Sequence, residues 1–336
     1  MIEYNKNILG ELFVKKFFSL LLVAVLLLGI LSGCGKTGGE QKNEGPAPID
    51  DGIIDAAVFV ILGQSNAVGH ATPLAQEDLI TEPMKNVFGL HRKNNQSFNI
   101  KELVWAGYTN EGTNLGEEQD YVYSLSNCLA NYWQDHIDAG NEKNLPDLYI
   151  INISIGAEGV TGNYMWNPNR PEKLIPGKLG EVNISLYPFT QHIFSLVDES
   201  FRAKKLDYEF VGVHWRGGEN DISSILADPF IDLEGIYTTM LEGFNESLGN
   251  PPIVLHKIVC KDRMQGPKLK IMEDGNVMFD KFAEKYDNIT TFDTRNYPEY
   301  DPNVLCENLF QADMIHYTAE VNKWVAQEIF NNYINK

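Results

Sequence analysis

Four short stretches, Ala57–Leu62, Leu148–Ile155, Phe210–Trp215 and Ile253–Val259, are compact β-branched or aromatic runs that lack the polar alternation of a half-exposed strand. A strand that is wet on one face alternates, whereas a strand covered on both faces does not, so these four belong in a parallel sheet between helical layers. The segments between them agree. Tyr121–Ile137 places apolar residues at Val122, Leu125, Leu129 and Tyr132, the stripe of an amphipathic helix. Less regular stripes run over Phe189–Lys204, Glu234–Leu248 and Val277–Lys285, and a last helix is predicted from Thr318, as N-cap with Glu320 in the first turn, to near Tyr333. Strand alternating with helix predicts an α/β fold: a three-layer, doubly wound (flavodoxin-like), mainly parallel sheet. No internal repeat and no linker interrupts residues 53–336, which are expected to form one domain.

The N-terminal segment reads differently. Lys15 and Lys16 precede an apolar run, Phe17–Leu31, that is short for a bilayer span and has the form of a signal peptide. It ends Leu31-Ser32-Gly33-Cys34, which resembles the bacterial lipobox. That resemblance implies removal of residues 1–33, lipidation of Cys34, and an exported lipoprotein anchored to the membrane on its extracytoplasmic side. Residues 34–52, rich in Gly, Lys, Glu, Asn and Pro, read as a flexible tether. Gly35-Lys36-Thr37 is not a phosphate-binding loop, because the first glycine of that motif would fall on Ile30.

Charge removes whole classes of function. With 46 acidic against 27 basic residues and a net charge of −19, the surface repels polyanions, so a nucleic-acid partner is not expected. With Cys34 acylated, only Cys128, Cys260 and Cys306 remain: at most one disulfide, and no paired spacing of a zinc knuckle. Buried free thiols are expected.

In open parallel sheets the ligand crevice lies beyond the carboxyl ends of the strands, so the residues after each strand carry the information. After the first comes Gly63-Gln64-Ser65-Asn66-Ala67, a tight turn that sets a serine at the mouth of the sheet. It is not the nucleophile elbow of α/β-hydrolases, since Ala67 stands where that motif needs glycine. Near the C-terminus, Asp313-Met314-Ile315-His316 puts a carboxylate three residues before an imidazole, a spacing that lets Asp313 orient His316 as a general base. After the third strand, Arg216-Gly217-Gly218-Glu219-Asn220-Asp221 offers glycines for close approach and the Asn220 amide as a donor to developing negative charge.

Together these blocks resemble the SGNH hydrolases, and within them the carbohydrate acetylesterase branch that includes sialate O-acetylesterases and acetylxylan esterases. Gly63-Gln64-Ser65-Asn66 looks like that branch's nucleophile block, Asp313 and His316 match its Asp-x-x-His block, and the likeness spans about Val58 to Phe330. Ile151–Ala157 is similar to the block whose glycine, here Gly156, lends a backbone N–H to the oxyanion hole, and Trp215–Asp221 to the Trp-x-Gln-Gly-Glu-x-Asp block. The resemblance implies Ser65 as nucleophile, His316 and Asp313 as its partners, an oxyanion hole from Ser65, Gly156 and Asn220, and no metal or organic cofactor. Gln64, Glu219, Trp215 and Trp166 are candidates to bind the substrate, the two tryptophans, with Tyr164, by stacking on sugar rings. Arg92, Arg216 and Arg263 are candidates to pair with a sialate carboxylate.

Two departures bear on catalysis. Gly217 stands where the branch has a Gln whose amide helps bind the oxyanion; alternatively Gly218-Glu219-Asn220-Asp221 reads as the superfamily's Gly-x-Asn-Asp block, with Asn220 as the donor. Ala157 replaces the second glycine after the second strand, which preserves the N–H provided that φ stays negative. The function expected is a serine O-acetylesterase acting on sialic acid, xylan or another acetylated glycan. The alternatives are a catalytically impaired glycan-binding protein of the same fold, and a lipase or thioesterase for longer acyl chains.

Overall fold

The first strand shows how the layers form. In the computed structural model, which describes residues 54–70, 72–117, 122–140, 145–170, 185–260, 263, 265–304 and 308–335, β1 (Ala56–Gly63) is buried along its whole length. The signal peptide, Cys34, the whole tether, Tyr121 and Cys306 lie outside the described residues. Side chains alternate across a strand. Ala56, Val58, Val60 and Leu62 therefore enter one apolar cluster, and Ala57, Phe59 and Ile61 another on the opposite face.

The sheet continues with β2 (Val87–Leu90), β3 (Trp105–Gly107), β4 (Leu115–Gly116), β5 (Asp147–Ser154), β6 (Tyr208–Arg216), β7 (Ile253–His256) and β8 (Ile289–Phe292). Its order is β3-β2-β5-β1-β6-β7-β8, with β4 also paired to β5. Every pairing is parallel except β2 with β3. The doubly wound, mainly parallel sheet is as expected, with four short strands, β2, β3, β4 and β8, that were not. Two to four residues carry too little pattern to separate a strand from a loop.

On the first face lie α4 (Leu186–Phe194), α5 (Val197–Lys204), α7 (Leu233–Leu248) and α8 (Gly266–Lys285), and on the second α3 (Leu125–Ala139) and α9 (Ala319–Ile334). The short turns α1 (Ser65–Val68), α2 (Arg92–Asn95) and α6 (Asp221–Ala227) complete the helices used below. Thr318 caps α9 as predicted, its hydroxyl accepting from Val321 N. Strand β7 stops at His256, short of the expected Val259, and three helix boundaries differ. Helix α3 starts at Leu125, because Ser124 accepts from Asn127 N and caps it there. The expected helix Phe189–Lys204 is two helices, broken where the Ser195 hydroxyl bonds back to His192 O at 2.7 Å. Val277–Lys285 is only the second half of α8, whose first turns, rich in Lys, Glu and Asp, dilute the apolar stripe. Gly52–Lys336 forms one compact unit, and no helix among the described residues is long and apolar enough to cross a membrane.

Because β1 has β5 on one side and β6 on the other, the chain reverses its direction of winding at β1. A crevice opens at such a switch point beyond the carboxyl ends of the strands. Ser65, Gly156 and Gly217 follow β1, β5 and β6 respectively, and so meet there.

Candidate active site

The turn into Ser65 needs its glycine. Gly63 sits at φ 140°, and a Cβ on it would lie 2.1 Å from Arg216 O. The chain is pressed against the end of β6, where Gln64 N donates to Arg216 O at 3.1 Å, and then enters α1 with Ser65 as its first residue. Ser65 is 8 % exposed.

The Asp313–His316 loop is organised by one carboxylate. Oδ1 of Asp313 accepts from Ile315 N and His316 N, each at 3.0 Å, and Oδ2 pairs with His316 Nδ1 at 2.6 Å. An aspartate bonding to main chain two and three residues on closes the loop locally. The same side chain thereby turns the ring so that Nε2 is the nitrogen left to accept a proton. Met314 takes φ 61° between them, a left-handed conformation that costs a non-glycine residue about 1 kcal/mol and that the loop tolerates. Burial tends to raise the Asp313 pKa, but hydrogen bonds from His316 and Ile315 outweigh it and hold the carboxyl below its ordinary value.

Asn66 fastens the two motifs together. Its Nδ2 donates to Glu219 Oε1 at 2.8 Å and to Ile315 O at 3.3 Å, and its Oδ1 accepts from Tyr317 N at 3.3 Å. The Thr72 hydroxyl adds a bond to Tyr317 O at 2.6 Å. The residue after Ser65 thus grips the chain on both sides of His316. The Ser65 hydroxyl makes no hydrogen bond to His316 as folded; such contacts often tighten only with substrate bound.

Opposite lies the expected oxyanion donor. Gly156 N donates to Glu117 Oε2 at 2.7 Å, and that same oxygen is 3.1 Å from His70 Nε2. The His70 ring is in turn 5.7 Å from that of His316. Ala157 adopts φ 63°, so the position of the branch's second glycine does require a positive φ here, and alanine bears the strain. Behind this loop, Asp221 accepts from Val160 N at 3.0 Å, Thr161 N at 2.9 Å and the Thr161 hydroxyl at 2.7 Å. Burial pushes the Asp221 pKa up to about 6 in spite of those bonds.

The residues expected to bind substrate need correction. Trp166 is 0 % and Trp215 1 % exposed; they stack edge to face at 5.2 Å and present no ring to a sugar. The Trp166 indole N–H donates to Gly63 O at 3.0 Å, and that of Trp215 to Gly217 O at 3.2 Å and to the Tyr237 hydroxyl at 3.1 Å. Both indoles therefore brace the turns that carry the site. Gln64 and Glu219 are buried as well, and Tyr164 is half-buried. A Cβ on Gly217 would come 2.9 Å from the Trp215 ring, so the Gln of the branch does not fit in this packing. Asn220, half-buried at the start of α6, makes no side-chain hydrogen bond among the described residues, which leaves its amide available. Arg216 is buried, with Nη1 on Asn322 Oδ1 at 3.1 Å and the guanidinium 5.3 Å from the Tyr317 ring centroid. Its Nε and Nη2 and Glu219 Oε2 have no hydrogen-bond partner among the described residues, and the two residues line a pocket of about 10 Å³ with Asn66 and His256, room for a water.

Sequence reasoning missed His70, Glu117 and the clasp made by Asn66. His70 and Glu117 lie 47 positions apart, in segments without a motif, and only the pairing of Gly116 with Ser154 brings Glu117 to Gly156. Cys128 and Cys260 are buried, and burial pushes both thiols up to about 12. Among the described residues no group of three or more His, Cys, Asp or Glu is arranged to hold a metal ion.

No family model matches the chain, and no curated protein matches its sequence. Solved structures do match. NanS aligns at 14 % identity and a TM-score of 0.53, over 84 % of this chain and 99 % of that one. A protein from Arabidopsis thaliana aligns at 12 % and 0.51, over 84 % and 99 %. Axe2, an acetylxylan esterase from Geobacillus stearothermophilus, aligns at 12 % and 0.41, over 83 % and 94 %. With its parallel sheet wound about β1 and a serine turn at the switch point, this chain shares the fold of NanS and of the Arabidopsis protein.

Proposed function

We propose that the protein is a serine esterase that removes acetyl groups from an O-acetylated glycan. The observation that carries this reading is the Asp313–His316 pair at 2.6 Å, clasped to the Ser65 turn through Asn66. Ser65 Oγ attacks the acetyl carbonyl, and His316 Nε2 takes its proton and returns it to the departing sugar oxygen, leaving an acetyl-serine. A water deprotonated by His316 then releases acetate and regenerates the serine. Asp313, acceptor-only when ionised, holds the imidazolium through Nδ1. The oxyanion would be met by the Ser65 and Gly156 N–H groups and the Asn220 amide, each such donor contributing about 3 kcal/mol to the transition state. Anchoring at Cys34 would place the enzyme outside the membrane, where polymeric glycans are accessible.

The occupied Gly156 N–H and the absence of an amide at Gly217 favour a second reading, a glycan-binding protein with an impaired site. Hydrolysis of p-nitrophenyl acetate, butyrate and octanoate by the wild type and by Ser65→Ala separates the readings. Acetate-selective turnover that disappears in the variant supports the esterase. Equal background rates from both proteins support the binder, and rates rising toward octanoate favour a lipase or thioesterase.

A further inference from the structure

The Gly156 amide already binds an anion, and the anion is part of this chain. Strand β4 runs beside the end of β5: Gly116 pairs with Ser154, and Glu117 N donates to Ser154 O at 2.9 Å. This register carries the Glu117 side chain over Gly156, where Oε2 takes the Gly156 N–H at 2.7 Å and lies 3.1 Å from His70 Nε2. A Cβ on Gly156 would meet His70 Nε2 at 2.5 Å and Glu117 Oε2 at 3.0 Å, so only glycine permits the approach. The Glu117 side chain is 32 % exposed. It therefore faces whatever enters the crevice.

We propose that Glu117 sets the charge of the substrate, so that the site takes the O-acetyl group of a neutral sugar and disfavours a sugar that carries a carboxylate beside the ester. This rests on the esterase reading. An acetyl carbonyl oxygen and Glu117 compete for the Gly156 N–H, and a displaced Glu117, tethered at β4, stays within a few ångströms of the sugar. A carboxylate on that sugar would meet like charge in a partly desolvated crevice, where screening by water is weak. Asp313, 36 % exposed at its side chain, adds a second negative group at the same mouth.

The candidate arginines do not offset this. Arg92 holds Asn114 O and Gly116 O at 2.7 and 2.9 Å, bracing the very strand that presents Glu117. Arg216 is buried with Nη1 on Asn322 Oδ1, and Arg263 Nε donates to Glu219 O at 3.3 Å. His70 Nε2 lies 3.1 Å from Glu117 Oε2 and is turned to this chain's own carboxylate.

The test compares an acetylated xylo-oligosaccharide, which is neutral, with an O-acetylated sialic acid, which is anionic, using the full chain and its Glu117→Gln variant at low and high salt. The wild type is expected to favour the neutral substrate in kcat/KM by about tenfold or more, with the gap narrowing at high salt. Glu117→Gln is expected to reduce that ratio about tenfold. A wild type that prefers the anionic sugar, or a ratio that Glu117→Gln leaves unchanged, overturns the proposal. The same ratio is read from equilibrium affinity by calorimetry in a Ser65→Ala background, with and without Glu117→Gln. If no turnover is found, the esterase reading fails, while a binding ratio that responds to Glu117→Gln still supports the charge selection, and one that does not respond overturns it.

Discussion

The two sides of the crevice are built to different standards of order. On the serine side, Asp313 and His316 are tied by a side-chain bond that their residue types and spacing specify, and the Asn66 amide then clasps the Ser65 turn to the chain on both sides of His316. On the side of Gly156 and Gly217 the donors are backbone groups, and what they bind depends on which other segments arrive: Glu117 over Gly156, the Trp215 ring against Gly217, Asp221 behind Val160 and Thr161. Side-chain chemistry can be read along a chain. Backbone chemistry is read only in space.

The sharpest break of the comparison is Ser65→Ala, which should lower kcat on p-nitrophenyl acetate by at least about a thousandfold while leaving the fold intact, as circular dichroism would check. Next is the clasp. Asn66→Ala leaves Glu219 Oε1 and Tyr317 N without their partner, and should cost about 2 kcal/mol of stability in urea unfolding. It should also lower kcat about tenfold to a hundredfold by letting the His316 loop shift. If stability falls and kcat does not, the clasp holds the fold but not the site.

The two aspartates give the comparison a pH signature. Asp221, with its pKa raised to about 6 from an ordinary 3.8, binds a proton more readily folded than unfolded. Its contribution to stability is therefore complete below 3.8 and is lost as pH rises to about 6. Asp221→Asn should remove that slope from urea-unfolding curves recorded between pH 4 and 7. Asp313, held below its ordinary value, acts in the opposite sense: its contribution is present above 3.8 and is lost as pH falls through the depressed value. Persistence of the Asp221 slope in the Asn variant would assign it to another group.

The smallest effect is expected at Ala157. Relief of its φ of 63° in Ala157→Gly should raise stability by about 1 kcal/mol, or a few degrees in Tm by differential scanning calorimetry. The reverse change at Gly218, whose φ is 124° and whose Cβ would meet Ile258 Cδ1 at 2.6 Å, should lower it.

Much of the fold was legible because burial leaves a periodic trace: β1, β5 and β6 lack alternation since both of their faces are covered, and α9 announces itself through the Thr318 cap. Strands β3 and β4 were not, being too short to carry a period. The tryptophans misled for a related reason. Asn and Pro around Trp166 suggest an exposed loop, but an indole whose N–H finds Gly63 O can be buried completely, and here it is.

By itself the sequence determined the layered parallel sheet, the serine turn after β1 and the Asp313–His316 spacing, because each rests on contacts between near neighbours in the chain or on a repeating apolar pattern. Only the tertiary structure decided that Asn66 joins the two motifs across 251 positions, that Gly217 has no room for a side chain, and that Glu117 reaches Gly156. Those outcomes follow from strand order and close packing, which bring together groups whose separation along the chain records nothing of their distance in space.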